Sequence, residues 1–311
     1  MSAKNPVYDV IGLGVSTLDF LQIVDELPGE ELVQKAYQSA LQGGGPVATS
    51  IVTLARLGSR TAMIDSLGDD WRGRLILEEF KREGVSTDHI IIDRGATSSI
   101  ASILVRKRDG ARTIAFSPGS CRELEWSDVS SRLISDAKIL HLNGRHGHAC
   151  LEAAKMVQDS NVNVSFDGGA HRYRPELQKL IPLTNICIVA KQFALQFSGV
   201  DSIGRAASQL LNAGPELVVI TAGTDGCWVF AKIGRAFHQP AFMIKDVVDT
   251  TGAGDVFHGA FLHGMISGLE LDEIARFASA AAAMSTRFLG GRAGIPSLDE
   301  VKAFIAQAET I

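Results

Sequence analysis

The chain has 311 residues, 46% of them hydrophobic, and a formal net charge of −5 at pH 7. This composition suits one large α/β domain, alone or with a small appendage, and the acidic balance without a Lys/Arg run argues against a nucleic-acid partner. No apolar run approaches the roughly 18 residues of a membrane span, no signal-peptide pattern begins the chain, and the cysteines form no C-x-x-C pair. We therefore expect a cytosolic protein with free thiols and no membrane partner. The cysteines are Cys121, Cys150, Cys187 and Cys227.

Short apolar runs alternate along the chain with segments of helical period. The runs that predict buried strands are residues 7–12, 62–67, 139–142, 162–166, 186–189 and 217–221. The segments that predict helices between them are residues 48–57, 72–83, 149–159 and 203–213. This alternation predicts an α/β fold with a doubly wound parallel sheet and helices on both faces. Ligands should then bind at the carboxyl ends of the strands.

Two segments depart from this alternation. Residues 18–42 and 100–116 have the pattern of antiparallel strands. Within the second segment, Asp109-Gly110 supplies a hairpin turn between two strands. They predict a small β-sheet of residues 18–42 and 99–116, apart from a main domain of residues 1–17, 43–98 and 117–311. Three further helices are predicted at 257–268, 271–288 and 298–308.

The most informative motif is Asp249-Thr250-Thr251-Gly252-Ala253-Gly254-Asp255, which runs directly into a predicted helix. Gly252, Ala253 and Gly254 leave backbone N–H groups accessible just before a helix N-terminus, where the helix dipole favours an anion. Asp255, beside this anion hole, can accept a proton from a hydroxyl group, and we expect an ordinary low pKa to suffice. The combination predicts phosphoryl transfer. The alternative is a plain Gly-rich turn in which Asp255 only satisfies the helix dipole.

These residues resemble the signature of the ribokinase / phosphofructokinase-B family of sugar kinases, and the resemblance covers nearly the whole chain. Other segments that match the family are Gly12-Leu13-Gly14 before Asp19, Gly43-Gly44-Gly45-Pro46-Val47-Ala48-Thr49, Leu54-Ala55-Arg56-Leu57-Gly58, Gly68-Asp69-Asp70-Trp71-Arg72-Gly73, Thr221-Ala222-Gly223-Thr224-Asp225-Gly226 and the glycine loop Gly290-Gly291-Arg292-Ala293-Gly294.

The resemblance implies a ribokinase-like fold whose small antiparallel sheet is a lid, with a homodimer formed through that lid. It also implies an ATP-dependent sugar kinase that uses Mg²⁺, and K⁺ as an additional cation. The roles it assigns are catalysis by Asp255, Gly252, Ala253 and Gly254, nucleotide binding by Thr221, Gly223 and Gly226, sugar-hydroxyl binding by Asp19, a lid hinge at Gly44 and Gly45, and cation binding by Asp249.

Two departures from the family pattern matter. Thr49 stands where the family usually has a sugar-binding Asn, so a shorter hydroxyl contact is expected there. The family's N-x-x-E motif is replaced by Ala190-Lys191-Gln192-Phe193. Mg²⁺ is still expected through the phosphates, and Lys191 is a candidate phosphate contact.

In motif detail the chain is most similar to the sulfofructose kinase branch. Arg145 stands at the position where that branch has a sulfonate-binding arginine. Phe116 and Val33, however, stand where that branch has polar or basic groups. A neutral ketose or pentose is therefore the competing acceptor.

Three histidines, His141, His146 and His148, lie in or shortly after the predicted strand 139–142, and Asp167 ends the next strand with Arg172 behind it. Because no carboxylate or cysteine follows the histidines at ligand spacing, we interpret them as cleft or surface residues rather than metal ligands.

Other functions fit less well. A dinucleotide-binding oxidoreductase is disfavoured because Thr17 replaces the third glycine of G-x-G-x-x-G, and no P-loop motif is present. The remaining alternative is a sugar- or nucleotide-binding protein of the same fold that has lost catalysis.

Overall fold

A nine-stranded sheet forms the centre of the computed structural model, which describes residues 7–29 and 33–308. Its strands are β1 (Tyr8–Leu13), β4 (Thr61–Gly68), β5 (Ser86–Asp93), β8 (Ala137–Leu142), β9 (Asn163–Gly168), β10 (Ile186–Ala190), β11 (Leu217–Thr221), β12 (Cys227–Ala231) and β13 (Ala236–Gln239). Residues 1–6, 30–32 and 309–311, which fall within the predicted domain boundaries, lie outside the described residues.

The strand order is β13-β12-β11-β10-β9-β8-β1-β4-β5. The strands from β11 to β5 in this order are parallel, whereas β12 and β13 add antiparallel at one edge. The six predicted strands are confirmed. The three that the sequence did not reveal, β5, β12 and β13, lie toward the sheet edges, where strands keep exposed positions and lose the continuous apolar run of a buried strand.

Helices cover both faces of this sheet, as predicted. They are α1 (Pro46–Arg56), α2 (Trp71–Arg82), α3 (Ser131–Ser135), α4 (Gly147–Met156), α5 (Lys191–Ser198), α6 (Ile203–Ala213), α7 (Ala253–Ile266), α8 (Leu271–Ser285) and α9 (Leu298–Ala308). Successive strand residues alternate between two cores: Val10 and Ile188 pack with α1, α2, α7, α8 and α9, whereas Ile11 and Val189 pack with α3 to α6. No helix in the described ranges is long and apolar enough to cross a bilayer.

A separate four-stranded sheet consists of β2 (Thr17–Val24), β3 (Gln38–Gly44), β6 (Ile100–Arg106) and β7 (Arg112–Ser117), in the order β3-β2-β6-β7. The two outer pairs are antiparallel, as expected, and the central pair β2–β6 is parallel. A turn with Gly110 at φ 67° joins β6 to β7. One face of this sheet packs around Leu21 and Ile103 against Leu289 of the main body.

The strand order reverses direction between β1 and β8. From β1 the chain continues through β4 to β5 on one side, and β8 to β13 fill the other side. Such a reversal opens a crevice at the carboxyl ends of the two strands. The small sheet packs against the loop that carries Leu289, beside the start of α7.

Candidate active site

The turn at Gly252 begins helix α7. Gly252 has φ 73°, and a Cβ atom there would lie 2.5 Å from the Cα of Gly291. The turn therefore requires glycine, both for its left-handed backbone and for close packing on the second glycine loop. A Cβ at Gly254, in contrast, would meet nothing within 4 Å. The first turn of α7 thus has open space beside Gly254, which leaves room for an anion near the helix N-terminus.

Asp255 lies in the first turn of α7 and is partly buried. Its carboxylate oxygens receive no hydrogen bond from the described part of the chain. Burial, with the like charge of Asp167, raises the pKa of Asp255 to about 7, against the opposing effect of Arg172 and Arg112. An ordinary low pKa would suffice for a base at this position, and the fold gives Asp255 a higher one, because the sequence does not show how deeply a carboxyl lies or which acids surround it.

Asp249 is 1% exposed and acts as a clamp between two loops. One carboxylate oxygen accepts the N–H of Thr251 at 2.8 Å, and the other accepts the N–H of Gly290 at 2.8 Å. The clamp fixes the Gly252 turn against the glycine loop. Each carboxylate oxygen keeps a further lone pair, so the predicted cation contact stays open.

Asp19 lies on β2, on the face of the small sheet that it shares with Gln42 and Ala101, and is 7% exposed. The hydroxyl of Thr17 donates to its Oδ1 at 2.7 Å. A Cβ atom on Gly44 would lie 2.0 Å from Asp19 Oδ2, so glycine at this position makes room for the carboxylate. Burial raises the pKa of Asp19, while Thr17 opposes the shift.

Gly45 has φ 93° and precedes α1, and a Cβ there would lie 2.4 Å from the carbonyl oxygen of Val15. Gly44 and Gly45 thus occupy the junction between β3 of the small sheet and α1 of the main body, where the hinge was predicted.

Arg292 is a buried residue of the site that the sequence analysis did not single out. It is 1% exposed, lies 3.4 Å from the Glu79 carboxylate and donates to the carbonyl oxygen of Gly44 at 3.0 Å. Its Nε also donates to the hydroxyl of Thr49 at 3.4 Å. Thr49 is 2% exposed and faces this arginine, so the structure does not support the expected sugar contact from Thr49. The signal available in the sequence was an arginine within a Gly-rich run.

Contacts across the cleft join the small sheet to the main body. Arg112 of β7 donates to the hydroxyl of Thr250 at 2.7 Å, directly before the Gly252 turn. The guanidinium carbon of Arg145, in the loop after β8, lies 5.7 Å from the centre of the Phe116 ring on β7. Phe116 therefore stacks on the arginine that was predicted to bind a sulfonate. Val33 is fully exposed.

The predicted nucleotide-binding residues lie at the carboxyl ends of β10 and β11. Thr221 ends β11, and the amide of Ala222 donates to the carbonyl oxygen of Gly226 at 2.8 Å to close a tight turn. A Cβ at Gly226 would lie 2.1 Å from a backbone oxygen, whereas one at Gly223 would meet nothing within 4 Å. Glycine at position 226 is therefore required for close backbone packing at the turn, whereas the surface beside Gly223 is open. Lys191 is exposed at the first residue of α5.

The three clustered histidines take different roles. His146 accepts the N–H of Leu124 at Nδ1 and bonds Asp65 through Nε2 at 3.0 Å, so it is a structural residue. His148 is exposed beside Glu125. The burial of His141 lowers its pKa to about 3.

His141 is a neighbour of two residues that are distant in sequence, Asp167 of β9 and His258 of α7. Burial lowers the pKa of His258 as well. The interpretation of His141 as a cleft or surface histidine was therefore wrong. Local ligand spacing does not reveal this grouping, because only the fold creates it.

Comparisons relate this chain to known proteins. The model of the pfkB family carbohydrate kinases matches residues 8–298. An uncharacterized sugar kinase of Archaeoglobus fulgidus is 32% identical over 250 residues, which cover 78% of this chain and 98% of that protein. The ribokinase of Haemophilus influenzae is 30% identical, with 90% of this chain and 92% of that one covered. The ribokinase structure from Thermotoga maritima matches with a TM-score of 0.83 at 28% identity and covers 96% of this chain and 99% of that one.

Proposed function

Because the chain belongs to the pfkB family of carbohydrate kinases, we propose that it transfers the γ-phosphoryl group of ATP to a hydroxyl group of a small carbohydrate. One observation carries this proposal. The Asp255 carboxylate, with a raised pKa and no hydrogen bond from the described residues, follows Gly254, beside which the first turn of α7 has open space.

The reaction follows from this arrangement. The acceptor hydroxyl gives its proton to Asp255, its oxygen forms a bond to the γ-phosphorus, and the bond to the β-phosphate oxygen breaks to release ADP. The amides of the Gly252–Gly254 turn hold the negative charge that develops on the transferred group. A pKa near 7 makes Asp255 a stronger base than an ordinary carboxylate while leaving much of it ionised at neutral pH.

We place the nucleotide along Thr221, Gly223 and Gly226, with Lys191 contacting a phosphate as a point charge. Phe193, which is fully buried, stands at the Glu position of N-x-x-E, so the chain offers no carboxylate there. Mg²⁺ would be held through the nucleotide's own phosphates, which supply hard oxygen ligands. Asp249, whose oxygens each keep a lone pair beside the anion hole, would contribute to a K⁺ site.

We propose that Asp19 holds the acceptor sugar through two hydroxyl groups, below a lid made of residues 18–42 and 99–116. Gly44 and Gly45 would allow the lid to move. The acceptor is a small ketose or pentose. A sulfosugar such as sulfofructose is the second candidate, and the partly buried guanidinium of Arg145 beside the cleft favours it.

We also propose that the lid mediates a homodimer. Its outward face carries Phe20 and Leu41, which pair across β2 and β3 and are 38% and 47% exposed. Apolar side chains on an exposed sheet need a cover, and a second lid would supply it.

An ADP-release assay over ketoses, pentoses, sulfosugars and nucleosides tests the function and identifies the acceptor. We expect ADP formation that depends on one sugar class and on Mg²⁺. The alternative is a catalytically impaired sugar- or nucleotide-binding protein, motivated by the missing N-x-x-E motif. ATP binding with no ADP formed on any compound would favour that alternative.

A further inference from the structure

The side chains of His141, Asp167 and His258 form a buried cluster below the proposed catalytic carboxylate. They come from β8, from the neighbouring strand β9 and from α7, and they are 0%, 2% and 3% exposed. One nitrogen or oxygen atom from each lies within 4.8 Å of the other two. Because His258 follows Asp255 by three residues, it lies one helical turn further along the same side of α7.

The polar atoms of this cluster are not satisfied by the described part of the chain. Both carboxylate oxygens of Asp167 and Nε2 of His141 are buried without a hydrogen-bond partner there, and so is Nδ1 of His258, whose other ring nitrogen, Nε2, faces Asp167. Nε2 of His258, whose pKa is lowered by burial, lies 3.5 Å from one Asp167 oxygen, and the Arg172 guanidinium lies 3.9 Å from the other. A buried carboxylate without hydrogen bonds is costly unless a cation compensates it.

We propose that His141, Asp167 and His258 bind one divalent transition-metal ion, for which Zn²⁺ is the best match. Two imidazoles and one carboxylate are a ligand set that suits Zn²⁺ and similar ions, whereas Mg²⁺ and Ca²⁺ prefer oxygen ligands alone. The 3.5 Å between His258 Nε2 and Asp167 Oδ1 agrees with two ligands that each lie about 2.0–2.2 Å from a tetrahedral ion.

A supporting residue is already in place behind one ligand. Ser165, fully buried on β9, lies with its hydroxyl 3.1 Å from His141 Nδ1. This contact fixes the orientation of the imidazole and leaves the buried, unpartnered Nε2 available to the ion, as outer residues do for metal-bound histidines. The ion would join α7 to β8 and β9 and so hold Asp255 in position. It is separate from the Mg²⁺ that accompanies the nucleotide, and its binding does not depend on the proposed acceptor.

The test is the metal content of the full-length chain, purified after expression in medium that contains zinc, cobalt, nickel and iron salts. We expect about one transition-metal ion per chain by inductively coupled plasma mass spectrometry. In His141→Ala and His258→Ala the content should fall on the order of tenfold or more, and Ser165→Ala should weaken affinity by about 10–100-fold. His148→Ala, which removes an exposed histidine of α4, is the matched control and should keep the wild-type content.

A wild-type chain that is folded but carries no transition metal would overturn the proposal, as would full retention of metal in both histidine variants. If those variants fail to fold, the visible absorption spectrum of the Co²⁺-loaded wild type tests the proposal instead. Intense visible absorption of tetrahedral Co²⁺ supports the site, and a spectrum of hydrated Co²⁺ alone contradicts it. The readout does not involve kinase activity, so the failure of either proposal leaves the other testable.

Discussion

The guanidinium of Arg112 donates a 2.7 Å hydrogen bond to the hydroxyl of Thr250 and thereby connects strand β7 of the small sheet to the loop that enters helix α7. The same arginine acts on the charge of Asp255. This cation of the small sheet therefore lies beside the start of α7, where the proposed anion hole would bring phosphates within its reach.

Replacing Arg112 tests this role. We expect Arg112→Ala to lower kcat/KM by about 10–100-fold, because a hydrogen bond to a charged group contributes roughly 1.5–3 kcal/mol. Steady-state kinetics with varied ATP measures the effect. Arg108→Ala, in the turn between β6 and β7 and paired with the exposed Glu26, is the control and should stay near wild type. Equal rates for the two variants would contradict a role for Arg112 in the site.

A substitution at Gly254 tests the anion hole by steric obstruction. A Cβ at this residue meets no protein atom within 4 Å, so Gly254→Ala should fold normally while its methyl group obstructs the phosphate. We expect kcat to fall on the order of 10²-fold or more, as when a charge-stabilising donor is lost. Gly204→Ala, also near the start of a helix and in open space, is the matched control. Circular dichroism and thermal unfolding should not distinguish the two variants, but activity should.

Arg292 is expected to stabilise the fold rather than perform chemistry. Arg292→Met leaves Glu79 buried without its partner, which should reduce the free energy of unfolding by about 3–5 kcal/mol. Arg235→Met breaks an exposed pair with Asp272 and should change it by less than about 1 kcal/mol. Urea unfolding compares them. A further Glu79→Gln substitution should recover part of the loss in Arg292→Met, and an absence of recovery would argue against the pair.

The raised pKa of Asp255 predicts a pH-dependent rate. A general base acts only when ionised, so kcat/KM should fall about tenfold per pH unit below pH 7 and level off above it. Initial rates between pH 5 and 9, at saturating Mg²⁺, give the profile. A rate that stays constant down to pH 5 would contradict a pKa near 7.

The same raised pKa affects the stability of the fold. The rate should rise with pH, whereas the contribution of Asp255 to stability should fall. Because the folded state raises the pKa of Asp255 from 3.8 to about 7, it binds the proton more tightly than the unfolded state does. Its contribution to stability is therefore greatest in acid and decreases as the pH rises from about 4 to 7. Asp255→Asn should thus unfold at a higher temperature than wild type at pH 8, and at a similar temperature near pH 4. Calorimetry at the two pH values compares them.

The sequence predicted the parallel sheet well, because buried strands such as β10 and β11 are continuous apolar runs bounded by turn residues. It predicted the Gly252 turn for a similar reason, since glycines that lead into a helix and are followed by a carboxylate form a distinctive local pattern. The edge strand β5 was missed because its side chains are mostly half-exposed, and such a pattern is not distinct from a loop.

What the sequence could not provide was the set of neighbours that each polar side chain meets. Thr49 was expected to face the sugar, but a buried arginine 243 residues away donates a hydrogen bond to its hydroxyl. His141 acquires its partners only when β8, β9 and α7 come together. The pKa of Asp255 likewise depends on burial and on charges from both sheets, and these are properties of the fold.

The most direct test of the kinase mechanism is the turnover of Asp255→Asn with the acceptor that the sugar panel identifies. Asparagine keeps the size and hydrogen-bonding capacity of the side chain but cannot accept the proton as a base. We expect kcat to fall by about 10²–10⁴-fold while the dissociation constant for ATP stays unchanged. A folded variant with near-normal turnover would contradict the assignment of Asp255 as the base.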